Sequence, residues 1–318
     1  MIKTLFILAC LASNLPVLSE DSHGEPASQT REAYKVLLVG DSWSYYLWID
    51  STMRELFAYK GRPEVLEKGD ETAISGSTAA EWTQPEMLQK ITDELMIHPT
   101  IDVVQLSMGG NDFLAGAPDG WYTTMSFEEE TFLYETILNY IDHVVQHIVS
   151  IDPEIKILLS GYDYPNFVDS LSGLAGFFCT PYWDGMVQPT PYEINIAMIA
   201  YEDMIRDYAE TIPQLTYVRQ LGSMQYLYGF PDSGIQPGEL VPPGDINLPS
   251  PMESMRLGID CFHLSSDGYD YYALNLWDEF YTYYFCVYQS EFLQFVTEWD
   301  QAKNISDLVL AVNRLCDE

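Results

Sequence analysis

The stretch Lys35-Val36-Leu37-Leu38-Val39-Gly40-Asp41-Ser42 decides the fold of this chain. Residues 36–39 form a short, continuous apolar run, which is typical of a parallel strand that is buried on both faces. A helical pattern begins just after Ser42, so we predict that Ser42 lies where the strand ends. Open α/β sheets bind their ligands in the crevice outside the carboxyl ends of their strands. The hydroxyl of Ser42 is therefore predicted to face a substrate.

Strand and helix patterns alternate after residue 34, which predicts an α/β fold. We expect a three-layer α/β/α, flavodoxin-like architecture with a five-stranded parallel sheet and long active-site loops. The predicted strands are Val36 to Val39, a short strand ending near Ile74, Asp102 to Leu106, Ile155 to Leu159, and Leu215 to Val218. The predicted helices lie at about Tyr45 to Tyr59, Ala79 to Met96, Phe127 to Ser150, Tyr192 to Ile212, Ser266 to Phe285, and 289–316.

Three predicted connections are longer than connections between such elements usually are, namely about 112–126, 162–190 and 219–262. The third is rich in proline and glycine, so little regular structure is expected in it. All three follow strands on the side where Ser42 emerges. They are therefore predicted to form the walls of the active site.

The first residues look like an export signal. Lys3 precedes an apolar stretch from Leu5 to Ala12, and Val17-Leu18-Ser19 has the small-residue spacing of a cleavage site. We predict a signal peptide over 1–19, a flexible segment over 20–34, and one folded domain over 35–318. The apolar stretch is shorter than the roughly 20 residues of a transmembrane helix. A secreted or periplasmic protein without a membrane span or a lipid anchor is expected.

The chain is strongly acidic, with 48 acidic and 14 basic residues and a formal net charge of −34. Such a charge repels nucleic acid and anionic membrane surfaces, and it suits a solvated protein in a salty or extracellular medium. No calcium-binding loop of the usual Asp/Asn/Gly spacing occurs. His143 and His147 share one helix face but lack a third ligand, so no metal or other cofactor is expected.

Four cysteines follow the predicted signal peptide: Cys179, Cys261, Cys286 and Cys316. An even number in an exported chain suggests up to two disulfides, whose three possible connectivities the sequence leaves open. Cys261 lies between Asp260 and His263. A disulfide there would fix this loop, although a buried free thiol is an equally good interpretation.

Three more short motifs accompany Gly40-Asp41-Ser42, and each follows a predicted strand or the last long loop. They are Gly76, Gly109-Gly110-Asn111-Asp112 and Asp260-Cys261-Phe262-His263. Each motif alone is weak, but in this order and setting the chain resembles the SGNH (GDSL) hydrolase family of lipases and esterases, over about residues 35–285. The family often has leucine after the serine, where this chain has Trp43.

The residue types suit acyl transfer. A serine hydroxyl is a poor nucleophile until a positioned base takes its proton. His263 is the candidate base, because histidine changes its charge between about pH 5 and 8. Asp260 lies three residues before it and is the candidate for holding the imidazole in the correct tautomer. Ser42, Asp260 and His263 are thus the predicted catalytic residues.

The resemblance implies three donors to the oxyanion of the tetrahedral intermediate. They are the backbone N–H groups of Ser42 and Gly76 and the side-chain amide of Asn111. Asp41 and Asp112 are instead predicted to make hydrogen bonds that order their loops, as short polar side chains do in turns.

The sequence therefore predicts an exported serine esterase that cleaves small-molecule or polysaccharide esters through an acyl-serine intermediate. The abundant tyrosine and tryptophan residues fit core packing better than a sugar-binding platform. Two alternatives stay open. One is an O-acyltransferase with the same triad, and the other is a catalytically silent binding protein of the same fold.

Overall fold

Five parallel strands form one sheet in the order β2-β1-β3-β4-β5 in a computed structural model that describes residues 33–171 and 176–287. The strands are β1 (Tyr34–Gly40), β2 (Leu66–Lys68), β3 (Val103–Ser107), β4 (Lys156–Ser160) and β5 (Leu215–Val218). This is the order of flavodoxin-like doubly wound sheets. The predicted three-layer α/β/α fold is confirmed.

Helices flank the sheet between and after these strands. In chain order they are α1 (Ser42–Ile49), α2 (Thr52–Tyr59), α3 (Ala79–Trp82), α4 (Pro85–Ile97), α5 (Gly110–Leu114), α6 (Phe127–Ile151), α7 (Phe167–Ser170), α8 (Gly176–Gly185), α9 (Pro191–Ala209), α10 (Ser223–Tyr228), α11 (Ser266–Leu276) and α12 (Thr282–Val287). The two long helices α6 and α9 lie within a few residues of their predicted bounds. Each begins with a capping box, formed by Ser126 with Glu129 and by Thr190 with Glu193.

The centre of the sheet is fully buried, as the apolar runs predict. Residues 36–39 of β1 have no exposed surface, and all five residues of β3 are buried. Val36 pairs with Val103, and the register continues without a break until Gly40 lies opposite Ser107. The carboxyl ends of these two central strands therefore lie side by side, directly before Ser42 and α5.

The predicted second strand, ending near Ile74, is wrong. The strand that pairs with β1 on the side away from β3 is Leu66–Lys68, in which Glu67 is buried beside Arg54 at 3.4 Å. Two charged residues in three hide this strand from a search for apolar runs. The chain passes β1 a second time, where Ile74 N–H donates to the carbonyl of Gly40 at 2.7 Å.

Several helices are shorter than predicted. The helix expected from Tyr45 to Tyr59 is divided in two at Ser51, whose φ of 59° is left-handed and ends α1. The helix expected from Ala79 to Met96 is divided before Pro85, because a proline has no N–H to continue a helix. A π-helical turn, Trp277–Tyr281, joins α11 to α12.

The second and third long connections contain more regular structure than expected. The 162–190 connection holds α7 and α8, and the 219–262 connection holds α10 and three short 3₁₀ turns. Glycine and proline exclude long helices there but allow short ones. For example, α10 starts after Gly222 and stops at Gly229, and both have positive φ.

Some expectations fall on residues that the structure does not describe. These are the signal peptide over 1–19, the helix over 289–316, and most of the segment over 20–34, although Tyr34 already belongs to β1. Within residues 33–171 and 176–287, no helix has the length and apolar character needed to cross a membrane.

The close approach of β1 and β3 predicts a large effect of Gly40→Ala. Gly40 has a φ of +128°, and a Cβ atom there would lie 1.8 Å from the carbonyl oxygen of Ser107. Urea denaturation should show a loss of at least about 2 kcal/mol in the free energy of unfolding.

Gly61→Ala is the matched control, because Gly61 has a φ of +77° but no atom within 4 Å of the added Cβ. It should lose only about 1 kcal/mol, the cost of the left-handed backbone alone. Equal losses in the two variants would contradict the steric argument.

Candidate active site

Three side chains form a chain of hydrogen bonds at the carboxyl end of the sheet. The Oγ atom of Ser42 lies 2.8 Å from Nε2 of His263, and Nδ1 of His263 lies 2.9 Å from Oδ2 of Asp260. Ser42 is the first residue of α1, directly after β1, and the other two lie in the loop before α11. The structure thus brings together the three residues predicted from two distant motifs.

Asp41 fixes the turn that presents Ser42. Its Oδ1 accepts hydrogen bonds from the N–H of Trp43 and the hydroxyl of Ser107, both at 3.0 Å, and its Oδ2 accepts one from the hydroxyl of Tyr162 at 2.5 Å. Burial raises the pKa of Asp41 to about 6, although these hydrogen bonds act in the opposite direction. Asp41 therefore orders the loop, as predicted.

Asp260 is held by the backbone of its own turn. Its Oδ1 accepts from the N–H groups of Cys261 at 2.7 Å and of Phe262 and His263 at 3.0 Å each, which leaves Oδ2 to face the imidazole. Burial alone raises the pKa of Asp260, but the hydrogen bond and charge of His263, with these N–H donors, hold it below its usual value. The carboxylate thus stays ionised behind the base.

Two aromatic rings enclose the imidazole of His263. The ring of Tyr46 lies edge-on with its centroid at 5.1 Å, and that of Phe262 lies at 4.6 Å. The guanidinium of Arg256 lies 3.9 Å from the centroid of Tyr46 and binds Asp50 at 2.9 Å. No local pattern marks Arg256, because its partners Tyr46 and Asp50 lie in and directly after α1, more than 200 residues earlier.

A disulfide joins Cys179 of α8 to Cys261, with Cα atoms 6.0 Å apart. Of the three pairings that the sequence left open, the structure has the one that joins Cys179 to Cys261. The interpretation of Cys261 as a free thiol is wrong. Of the other two cysteines, Cys316 lies outside the described residues. The bridge ties the 162–190 connection to the loop that carries Asp260 and His263.

Asn111 lies in α5, at the end of β3. Its side-chain Nδ2 donates to the carbonyl of Ser77 at 2.8 Å, and the residue shares the wall of one cavity with Ser42. An amide nitrogen carries two N–H groups, so a second remains for a ligand. Gly109 permits this arrangement, since its φ is +100° and a Cβ there would lie 2.2 Å from the hydroxyl of Tyr201.

Gly76 does not line the cavity that Ser42 and Asn111 share, but it lies close to Asn111 in the chain fold. It has a φ of +83° and precedes Ser77, whose carbonyl Asn111 binds and whose hydroxyl donates to the carbonyl of Gly40 at 3.2 Å. The turn is therefore tied to both neighbouring motifs. Asp112 orders the same region, because it accepts the N–H groups of Ala79 at 2.6 Å and Ala80 at 3.1 Å.

Two further buried carboxyl groups, those of Asp163 and Glu202, make hydrogen bonds and an ion pair next to the site. Asp163 accepts from the N–H groups of Gly222 at 2.7 Å and Met224 at 2.6 Å, and Glu202 pairs with Arg219 at 3.1 Å. Burial raises the pKa of Asp163 to about 7 and that of Glu202 to about 8. They connect the ends of β4 and β5 to the loops that follow.

Two histidines outside this site, His147 and His98, have structural contacts. His147 lies 2.9 Å from the hydroxyl of Thr92, and His98 lies 3.4 Å from Glu94. In the part of the chain that the structure describes, no group of three or more His, Cys, Asp or Glu side chains is arranged to hold a metal ion.

The sequence profile of the GDSL-like lipase/acylhydrolase family matches residues 38–271, which extend from β1 into α11. The chain belongs to this family. Among proteins with curated descriptions, none matches its sequence significantly.

Solved structures of GDSL-like and other hydrolases share the fold at low identity. A gut microbial diltiazem-metabolizing enzyme has a TM-score of 0.50 and 12% identity, over 78% of this chain and 47% of that chain. The lipase Lip_vut3 from a goat rumen metagenome has a TM-score of 0.44 and 12% identity, over 78% of this chain and 98% of that chain. A family 3 carbohydrate esterase from Clostridium thermocellum has a TM-score of 0.40 and 16% identity, over 77% of this chain and 94% of that chain. At 12% identity, the likeness to the diltiazem-metabolizing enzyme shows the fold alone.

The buried carboxyl groups predict that stability falls between about pH 6 and 8. The pKa values of Asp41, Asp163 and Glu202, about 6, 7 and 8, are raised above those of the unfolded chain. The folded protein therefore binds these protons more tightly, and the stability that this supplies is lost as pH rises through each folded pKa. Exposed carboxylates are already ionised in this window. Urea midpoints that stay constant or rise from pH 6 to 8 would contradict the prediction.

Proposed function

We propose that this GDSL-like protein is an exported serine esterase that hydrolyses carboxylic esters through an acyl-serine intermediate. One observation carries the proposal: Ser42, His263 and Asp260 are joined by hydrogen bonds of 2.8 and 2.9 Å. Membership of a lipase/acylhydrolase family supports the same class of reaction.

In the first half of the proposed reaction, Oγ of Ser42 attacks the ester carbonyl carbon. Nε2 of His263 takes the hydroxyl proton as the new C–O bond forms, which makes the imidazole a cation. Asp260 stabilises that cation and keeps Nδ1 protonated, so that Nε2 is free to accept. The lowered pKa of Asp260 supports this role, because the carboxylate stays ionised beside the base.

The carbonyl oxygen becomes negative in the tetrahedral intermediate and needs donors. The proposed donors are the amide of Asn111 and the N–H groups of Ser42 and Gly76. The N–H at the first position of a helix has no acceptor within that helix, which suits Ser42. Each such donor is commonly worth about 3–4 kcal/mol in the barrier.

Collapse of the intermediate breaks the bond to the alcohol oxygen, which leaves with the proton from His263. Water then attacks the acyl-serine, again with His263 as base, and collapse returns the proton to Oγ of Ser42 and releases the carboxylic acid. The protein's own side chains supply every proton transfer, and no cofactor is proposed.

The proposed substrates are short acyl esters, acetylated carbohydrates or lipid esters. Export is supported by the disulfide between Cys179 and Cys261 and by the signal-like pattern of residues 1–19. An O-acyltransferase would form the same acyl-serine, and addition of acceptor alcohols to the assay distinguishes the two. The aligned serine and histidine favour catalysis over a silent binding protein.

Ser42→Ala tests the nucleophile. Without Oγ no acyl-serine forms, so kcat on any ester that the parent hydrolyses should fall at least about ten-thousandfold. Ser44→Ala is the matched control, since its hydroxyl binds only the carbonyl of Val39 at 3.0 Å, and it should stay active. A fluorophosphonate should label the parent and the control on the peptide that contains residue 42. Near-parental turnover by Ser42→Ala would refute the serine mechanism.

Asp260→Asn tests the orientation of the base. The asparagine oxygen can keep the three backbone hydrogen bonds, which turns its NH₂ group toward Nδ1 of His263. The imidazole must then carry its proton on Nε2, where it cannot accept from Ser42. We expect kcat to fall about a thousand- to ten-thousandfold in steady-state assays with an unchanged fold. Full activity would remove Asp260 from the triad.

Asn111→Ala tests the oxyanion donor. Loss of a donor that acts in the transition state should lower kcat about a hundred- to a thousandfold and leave KM nearly unchanged. Asn275→Ala is the control, because its amide also donates to a backbone carbonyl, that of Arg219 at 3.1 Å, but away from the site. A rise in KM with normal kcat would assign Asn111 to substrate binding instead.

A further inference from the structure

We propose that the site accepts only short acyl groups, of about two to four carbons, and that Met198 and Leu114 set this limit. The inference rests on the proposed esterase function and narrows its substrate class. It comes from the size, the lining and the direction of one cavity.

The cavity opens beside Ser42 and has a volume of about 40 Å³. One water-sized group needs at least about 10–15 Å³ of such space, and about 30 Å³ in the liquid, so the cavity holds about one to three such groups. An acetyl, propionyl or butyryl chain fits beyond the carbonyl carbon, whereas an octanoyl chain does not.

The far wall of the cavity is apolar. Phe113 and Leu114 of α5 and Met198 of α9 line it, together with Pro165 and Phe262. The carboxyl groups that also line it already have partners. Asp41 accepts from Tyr162, Asp163 accepts from two backbone N–H groups, and Glu202 pairs with Arg219. The cavity therefore favours a hydrocarbon chain over a charged group.

The direction of the cavity identifies it as the acyl side. The attacked carbon bears the Ser42 oxygen, the oxyanion, the leaving oxygen and the acyl chain. The leaving oxygen must reach Nε2 of His263, which does not line the cavity, and the proposed position of the oxyanion is against the amide of Asn111, a polar group of the lining. The remaining substituent, the acyl chain, then points between α5 and α9.

Most of this lining belongs to the packed interior and cannot easily withdraw, and Leu114 is partly buried and packs against that core. Met198 is 8% exposed and Phe113 is 3% exposed. Phe113 is stacked on Trp121 with ring centroids 5.5 Å apart and also contacts Tyr134 of α6. Displacing well-packed side chains to admit extra methylenes is unfavourable. The limit is thus built into the core rather than into a mobile loop.

The test compares p-nitrophenyl esters from acetate to decanoate, hydrolysed by the full chain. For each methylene that fits, kcat/KM should rise by up to about fourfold. Beyond butyrate it should fall about ten- to two-hundredfold. Met198→Ala removes three heavy atoms from the wall and should move the longest accepted chain by about two carbons. Leu114→Ala, in the part of the lining that α5 supplies, should do the same and covers the case in which one variant does not fold.

Met204→Ala is the matched control, since Met204 lies on the same helix α9 but not on the cavity, and its chain-length profile should equal that of the parent. A second series, acetates of alcohols from methanol to octanol, should show no comparable limit.

The possible failures are distinguishable. Octanoate hydrolysed as well as butyrate, with dependence on Ser42, would overturn the inference and leave the esterase function intact. A length limit on the alcohol instead of the acyl group would overturn it as well, as would unchanged profiles in both wall variants. Absence of hydrolysis and of fluorophosphonate labelling at Ser42 would overturn both proposals.

Discussion

The contact between the backbones of β1 and β3 at Gly40 and Ser107 organises the rest of the site. No side chain fits between them, because a Cβ on Gly40 would lie 1.8 Å from the Ser107 carbonyl oxygen. The N–H of Asp41 donates to that same oxygen at 2.9 Å, while the N–H of Gly40 donates to the carbonyl of Thr72 at 2.9 Å. Three chain segments thus meet at one glycine. The proposed nucleophile and oxyanion donors extend from these segments, so their spacing depends on how closely the backbones approach.

One hydroxyl group connects two of the motifs beyond that contact. The hydroxyl of Tyr162 donates to Asp41 at 2.5 Å and accepts from the N–H of Gly110 at 3.1 Å. It therefore links the turn before Ser42 to the helix that carries Asn111. Leaving a buried hydrogen-bonding group of this kind unpaired is costly in free energy, so this hydroxyl couples the positions of the two motifs. The ring of Trp43, which replaces the leucine frequent in the family, packs edge-on against Tyr162 at 5.3 Å. The unusual residue thus supports the same link from the interior.

Two of the long connections contact the loop that carries Asp260 and His263. The 162–190 connection reaches it through the disulfide to Cys261, and the N–H of Asn166 donates to the carbonyl of Cys261 at 2.7 Å. The 219–262 connection reaches it through Arg256, whose N–H donates to the carbonyl of His263 at 2.8 Å. These two connections therefore hold the loop of Asp260 and His263 by a disulfide and by backbone hydrogen bonds. A loop without a sheet neighbour needs such contacts to hold an imidazole in place.

The sequence by itself determined four of the five strands and the positions of the residues to which the chemistry is assigned. Continuous apolar runs specify buried parallel strands, and the order of the short motifs after those strands predicted where Ser42, Asn111 and His263 would lie, because both signals are local. Only the tertiary structure decided the rest. Strand β2 escaped prediction because Glu67 is buried by a partner from elsewhere in the chain. The supporting residues Tyr162 and Arg256, and the small acyl cavity, also depend on contacts between segments far apart in sequence. Such contacts leave no local periodicity or composition signal, so packing alone reveals them.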